Sequence, residues 1–335
     1  MTQTNSLKFV VYGAGGVGGV IGGKLFQAGW PVTLIARGEH ARSIRTSGLR
    51  LVCPGADQVL PLTVVEHPTS LEFDAHTVVL MCMKSQHMRR ALEDLSLCRG
   101  ADRAVLVCVQ NGVANESLAL RYFAQVYGCV VNLPAMFIHP GEVASYGQGV
   151  AGILDVGAAP QGNDACAQQV AAAFTAAGFS ARPQPAIMRW KYAKLLLNLL
   201  NVLQACLADY AASTSLRKRI REEALACFDA AGIDCASKAE VTNRASGPDG
   251  TALMRMVDLP GYERTAGSSW QSLARGTGDI ETEYLNGEIC YLGRLHGVPT
   301  PVNQACVLMA RQTIAQQLGP GSFTTAQLIA MAEHV

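Results

Sequence analysis

Apolar residues come in short runs over the first half of the chain and at helical spacing over the second. The first run, Phe9-Val10-Val11-Tyr12, is too brief for a helix turn of its own and rich in strand formers. An amphipathic stretch follows to about Gly29, and 32–36 (VTLIA) predicts a second strand. The runs 49–53 and 59–65 read as strands around the Pro54-Gly55 turn. Two longer runs, 77–83 and 104–109, are continuously apolar, as parallel strands buried on both faces are. Residues 129–138, the Pro140-Gly141 turn and 143–156 predict further strands, antiparallel at the sheet edge. A helix over 165–177 ends at Gly178, and Arg182-Pro183-Gln184-Pro185 reads as a linker. From Ala186 strand-like runs vanish. The spacing predicts helices over 187–207, 215–231, 279–295, 302–318 and 325–333, with a shorter one after Ser268-Ser269 and a loop at 247–250.

Between the first run and the amphipathic stretch lies GAGGVG, with Gly13, Gly15 and Gly18 in the spacing G-x-G-x-x-G. Gly13 lets the chain turn sharply out of the strand. Gly15 keeps no side chain between backbone and pyrophosphate. Gly18 lets the helix pack close to the strand, and the helix N-terminus offers free N–H groups to phosphate. In a chain with 33 glycines the spacing alone says little, so the strand before it and the helix and second strand after it carry the assignment. The competing explanation is a glycine-rich helix packed closely on a sheet, which Gly19, Gly22 and Gly23 would also serve. The pattern predicts an α/β fold: an N-terminal Rossmann-type dinucleotide-binding domain over 1–183, then an all-α C-terminal domain over 184–335, with a cleft between them.

Composition narrows the function classes. The 335 residues carry a formal net charge of +1 and suffice for two domains with a sizeable core. The one dense basic cluster, Arg217-Lys218-Arg219 with Arg221, runs straight into Glu222-Glu223, so no nucleic-acid footprint is expected. No apolar run reaches the length of a membrane span, and the start, MTQTNSLKF, lacks a signal-peptide pattern, so a cytoplasmic protein is expected. The eleven cysteines are scattered without a C-x-x-C pair and read as reduced core residues, with no metal site expected. His139 and His296 sit beside turn signals and read as structural.

The candidate chemistry lies at strand ends and on one helix. Arg37 ends the second strand, where NAD-binding units carry an acid for the ribose hydroxyl. A guanidinium there pairs with a 2′-phosphate, which predicts NADPH. Lys84 and Gln110-Asn111-Gly112 follow the two buried runs, where ligands of open sheets bind; a cap or turn role is the alternative. In WKYAKLLLNLLN, Lys194, Asn198 and Asn201 fall on one helical face, with Lys191 close to the stripe. Such a stripe faces either water or a functional cavity. Asparagine amides suit a keto or hydroxy acid, and a desolvated lysine can donate to a carbonyl oxygen. Ser268-Ser269 before a helix could hold a carboxylate. Glu281 and Glu283 would lie in the first turn of the 279–295 helix with Asn286 beyond, and Glu283 reads as a dipole partner.

Together these residues resemble the ketopantoate reductases (2-dehydropantoate 2-reductases) over nearly the whole chain. The matching signatures are GAGGVG, Arg37, Lys84, Gln110-Asn111-Gly112, KLLLN at Lys194, Ser269, and the run from Glu281 through Leu285-Asn286-Gly287 to HGVPTP. The resemblance implies NADPH-dependent reduction of 2-dehydropantoate to (R)-pantoate in pantothenate and coenzyme A biosynthesis. It makes Lys194 the proton donor and Glu281 the acid that orients the substrate hydroxyl and couples to lysine or cofactor. It makes Asn111, Asn198, Asn201 and Ser269 substrate contacts. Gly13, Ala14, Gly15, Gly16, Val17, Gly18, Arg37, Lys84, Asn111, Ala135 and Glu281 would line the cofactor. The chain departs from the family where substrate is gripped. Val202 holds the place of the family's second asparagine, with Asn201 one residue early. Ala266 stands where an asparagine is common, an asparagine common in the loop after the long helix is not evident near Asp209-Tyr210, and Ser85-Gln86-His87 after Lys84 is unusual. The alternatives are a related NADPH-dependent reductase of another 2-keto acid and a non-catalytic NADP(H)-binding regulator. The partner expected is a small 2-keto acid, with neither nucleic acid nor membrane, and the helical half permits a homodimer.

Overall fold

Apolar runs dominated by β-branched residues become strands, and the amphipathic stretches between them become helices. The computed structural model describes residues 7–263, 267–276 and 280–335, so Ala266 and Asp279 lie outside the described residues. In chain order come β1 (Lys8–Tyr12), α1 (Gly16–Gln27), β2 (Val32–Ile35), α2 (Gly38–Ser47), β3 (Leu49–Cys53), β4 (Ala56–Leu60), β5 (Thr63–Val65) and β6 (Thr77–Met81). Then follow α3 (Met88–Ser96), β7 (Val105–Cys108), α4 (Ala114–Ala119), β8 (Val126–Asn132), β9 (Ala135–His139), β10 (Glu142–Ser145), β11 (Gly147–Gly149), β12 (Ile153–Ala158) and α5 (Ala165–Ala176). The rest comprises α6 (Ile187–Asn198), α7 (Asn201–Cys206), α8 (Thr214–Ala230), α9 (Lys238–Arg244), β13 (Met254–Met256), α10 (Ser268–Ala274), α11 (Asn286–His296), α12 (Pro301–Ala315) and α13 (Thr325–Glu333).

The main sheet runs β12-β8-β7-β6-β1-β2-β5, parallel except for β12. Its six parallel strands follow the doubly wound order 3-2-1-4-5-6, with β1 and β6 side by side where the winding reverses. Every residue of β6 and β7 is buried, as the continuous apolar runs require. A second sheet, β4-β3-β10-β9, packs against α1.

Several expectations are corrected. The 59–65 run divides between sheets: Leu60 ends β4, Pro61 supplies no amide for a ladder, and β5 pairs with β2 instead. The segment 129–138 is not all antiparallel edge. Its first part lies in β8, parallel to β7, and its last part crosses to the second sheet as β9. The 182–185 stretch is no free linker, because it lies along β12 with the Gln184 amide on the Val156 carbonyl at 2.8 Å. Helices α2, α3 and α4 occupy stretches for which no element is expected from the sequence.

Two units emerge. The first takes the chain up to Gln110, Asn115–Met188 and Ala239–Glu263; the second takes Asn111–Ala114, Arg189–Lys238 and the described chain from Gly267 onward. The return of 239–263 to the first unit is held by Arg244. Its guanidinium forks onto both buried Asp155 oxygens at 2.7 and 2.6 Å and onto the half-buried Ser180 carbonyl at 3.0 Å. Strand β13 pairs with β11, and Leu259 joins Tyr146, Met136 and Val52 in a small core. The second unit is helical: α10 packs on α7, α11 on α8 and α12, and α13 on α12.

Candidate active site

In the first unit the glycine turn has the geometry its spacing implies. Gly13 has φ +99°, and a Cβ there would meet the Met83 amide nitrogen at 2.7 Å. A Cβ on Gly18 would meet the Gly13 carbonyl oxygen at 2.2 Å and the Cys82 side chain at 2.9 Å, so α1 reaches the sheet only because both positions are glycine. Beside Gly15 the equivalent space is open, which leaves room for a phosphate against the backbone. The Gly13 and Ala14 amides both point to the Ile35 carbonyl, at 3.1 and 3.3 Å. The amides of the first turn of α1 have no partner within the helix.

A pocket of about 340 Å³ opens at this turn, and Gly13, Ala14, Gly15, Arg37, His40, His87 and Arg90 are among its lining residues. No carboxylate is among the described residues lining it. Arg37 is exposed, caps α2 from an extended conformation and acts on the Tyr12 phenol, whose pKa burial raises and Arg37 opposes. Arg90 is anchored by Asp94, one helical turn on, at 3.0 Å. Of the other expected cofactor residues, Gly16, Val17 and Gly18 lie in the first turn of α1. Ala135 opens β9, the strand whose Met136–Phe137 backbone sits against Gly16. Lys84, half-buried before a short 3-10 turn, does not line this pocket, although Met83 and His87 do.

In the second unit Lys194 and Asn198 lie one turn apart on α6. No ion pair to Lys194 occurs among the described residues, and burial alone lowers its pKa from the ordinary lysine range. Asn198 is buried, and its Nδ2 has no hydrogen-bond partner among the described residues. A buried amide nitrogen without a partner costs free energy that a ligand carbonyl or carboxylate would recover. The expected single helix over 187–207 breaks after Asn198, and Asn201 begins the separate helix α7. At the break Asn286 donates from Nδ2 to the Leu199 carbonyl at 3.1 Å. The same Nδ2 donates to Asn303 at 3.0 Å, and Asn303 donates to Glu223 at 2.7 Å. Glu223 in turn accepts the Val302 and Asn303 amides at the start of α12, at 2.9 and 3.0 Å.

The remaining candidates fall in the same unit. Ser268 and Ser269 are the first two residues of α10, not residues before it; Gly267 is the cap, and Ser269 is buried. Glu281 and Glu283 precede α11 instead of occupying its first turn. Glu281 caps a 3-10 turn, and Glu283 pairs with Arg311 at 2.5 and 3.0 Å. Asn111 lies beside that turn, because a Cβ on Gly112 would sit 2.9 Å from the Tyr284 carbonyl. The structure thus gathers Lys194 with Asn198, and Asn111 with the Glu281 turn. Neither motif nor spacing picks out His40, Arg90, or the Asn303 and Glu223 that extend the chain from Asn286. For Arg90 a second cation near Arg37 was the available signal; for His40 there was none.

A doubly wound sheet whose glycine turn opens onto a basic pocket defines a dinucleotide-binding protein of the α/β class. The family description Ketopantoate reductase PanE/ApbA matches residues 9–160, and Ketopantoate reductase PanE/ApbA C terminal matches 186–313. The chain belongs to the ketopantoate reductase family and is an oxidoreductase of that type. It is 25% identical to the 2-dehydropantoate 2-reductase of Pyrococcus horikoshii over 94% of this chain and 100% of that one. A PanE/ApbA family ketopantoate reductase from Ralstonia eutropha JMP134 has a similar structure, with TM-score 0.76 and 26% identity over 93% of this chain and 99% of that one. The fold is shared with D-mandelate dehydrogenase in its ternary structure with NADH and anilino(oxo)acetate, with TM-score 0.76 and 20% identity over 93% and 99% of the two chains. No described helix is long and apolar enough to cross a membrane.

Proposed function

We propose that this chain reduces 2-dehydropantoate to (R)-pantoate with NADPH, as a step of pantothenate and coenzyme A biosynthesis. The observation that carries this reading is the desolvated Lys194 one turn from the unpartnered Asn198 amide. The pocket residues fit the cofactor: the Gly15 backbone and first-turn amides take the pyrophosphate, and Arg37 with Arg90 takes the 2′-phosphate. A bound nicotinamide supplies a hydride. Lys194 holds the proton for the forming alkoxide, and its lowered pKa brings donor strength closer to working pH. Asn198 Nδ2 donates to the substrate, Ser269 and Asn111 contact it, and Glu281 orients its hydroxyl.

NADPH oxidation with ketopantoate, repeated with NADH and a panel of 2-keto acids, tests the reading. The expected result is a clear preference for ketopantoate and NADPH; no turnover with any 2-keto acid would overturn it. A second reading, another branched or aromatic 2-keto acid, is favoured by Asn201 opening a separate helix while buried Val202 holds the family position. Preference for such an acid in the panel would select it. Arg37→Ala is expected to reduce the preference for NADPH over NADH about 10–100-fold, the value of a charge-assisted phosphate contact. Arg90→Ala is expected to reduce it less, since Arg90 is exposed and shared with Asp94. Unchanged cofactor preference in Arg37→Ala would remove the 2′-phosphate assignment.

A further inference from the structure

We propose that His40 is a positioning residue for the dinucleotide, clasping the glycine turn to the β9–β10 hairpin. Its Nε2 lies 2.7 Å from the Ala14 carbonyl oxygen, and its Nδ1 lies 2.9 Å from the Gly141 amide nitrogen. An amide only donates and a carbonyl only accepts, so Nδ1 accepts and Nε2 carries the proton. Only the neutral Nε2–H tautomer makes both bonds. The ring stands edge-on to Phe137, with centroids 4.9 Å apart. Helix α2 and the hairpin are pressed together here, since a Cβ on Gly141 would sit 2.9 Å from Ser43 Cβ.

The Ala14 carbonyl and the Gly15 N–H belong to one planar trans peptide and point in opposite directions. Holding that carbonyl on His40 therefore turns the Gly15 N–H away from the histidine, at the position where the backbone faces open space. The hairpin completes the support, with its Met136–Phe137 backbone against Gly16. The proposal rests on the dinucleotide reading of the pocket and assigns a residue that neither motif nor family description marks.

Protonation of Nδ1 would set two donors against each other and open the clasp. Burial lowers the His40 pKa, so the ring is neutral at physiological pH and the clasp is lost as pH falls through that lowered value. The charged groups around it are Arg37, His87 and Arg90 in the pocket, Glu39 and Arg42 on its own helix, and His139 and Glu142 on the hairpin, the last held by Arg50.

The test is a titration of the full-length protein with NADPH and NADH, at neutral and mildly acidic pH, for wild type, His40→Phe and His40→Gln. Phenylalanine keeps the ring and removes both polar atoms; a glutamine amide can donate and accept. His40→Phe is expected to raise Kd about tenfold, the worth of one to two hydrogen bonds, and His40→Gln to recover most of it. Acidification is expected to weaken wild type more than His40→Phe, and titration of the 2′-phosphate cancels in that ratio. A merely structural histidine would lower the melting temperature of both variants without this difference. His40→Phe binding as tightly as wild type would overturn the proposal. Wild type binding neither nucleotide would overturn the pocket reading beneath it.

Discussion

Lys194→Ala is expected to lower kcat about 10²–10⁴-fold, the range contributed by a positioned general acid, with dinucleotide affinity unchanged. The ammonium sits where burial disfavours charge and where no described carboxylate offsets that cost. Its positive charge is therefore poorly compensated in the resting protein and well compensated once an alkoxide forms beside it. The sign of the pH dependence follows. The donor is the protonated form, so kcat/KM falls as pH rises through a pKa below the ordinary lysine value. The same lowering means that the charge costs stability at neutral pH, so the neutral variant Lys194→Met is expected to melt no lower than wild type. Lys194→Arg separates charge from proton transfer, because guanidinium keeps the charge and does not give up its proton. Steady-state turnover and single-turnover hydride transfer check these outcomes. Near-normal kcat in Lys194→Ala would remove the lysine from the mechanism.

Arg244→Ala is expected to cost about 3–5 kcal/mol, the penalty for stranding one member of a buried ion pair. Arg244 and Asp155 are almost wholly shielded from water and bonded through two oxygens. Removing the guanidinium leaves a carboxylate whose remaining donor is the Arg182 amide at 3.0 Å. Replacing both partners with apolar residues, Asp155→Leu with Arg244→Met, is expected to recover most of the loss, since two desolvated charges barely repay their burial. Urea unfolding, with amide exchange in β12 as the local reading, checks both variants. A single substitution costing no more than an exposed ion pair would show that water reaches the site.

The parallel sheet was legible because burial on both faces leaves a plain signature: 77–83 and 104–109 have almost nowhere to put a polar residue. The glycine turn was legible for a different reason. Each of its glycines answers a steric demand that any Cβ would violate or a ligand would contest, so the spacing itself encodes the shape. Helix α2 was not, because GEHARSIRTS has few apolar positions and only Ala41 and Ile44 are buried. The break after Asn198 was invisible for a tertiary reason. KLLLNLLNVL has unbroken helical character, and at its break the Leu199 carbonyl accepts from Asn286, 87 residues further on. Side chains that act on backbone far away in sequence leave no local periodicity to find. The Arg244–Asp155 pair, 89 residues apart, and His40, reaching 101 residues to Gly141, are of the same kind.

The path of the chain also sets an order of assembly. Residues 239–263, with Arg244 and β13, complete the nucleotide-binding unit but are synthesised after α6, α7 and α8. An emerging chain can pair its parallel strands early, yet Asp155 awaits its cation until 89 further residues have been made, and β11 awaits its partner β13 for longer still. During that interval β12 carries an unneutralised charge and β11 an open ladder, a state in which a nascent protein depends on chaperones. A fragment ending near Gln184 would be held permanently at that stage.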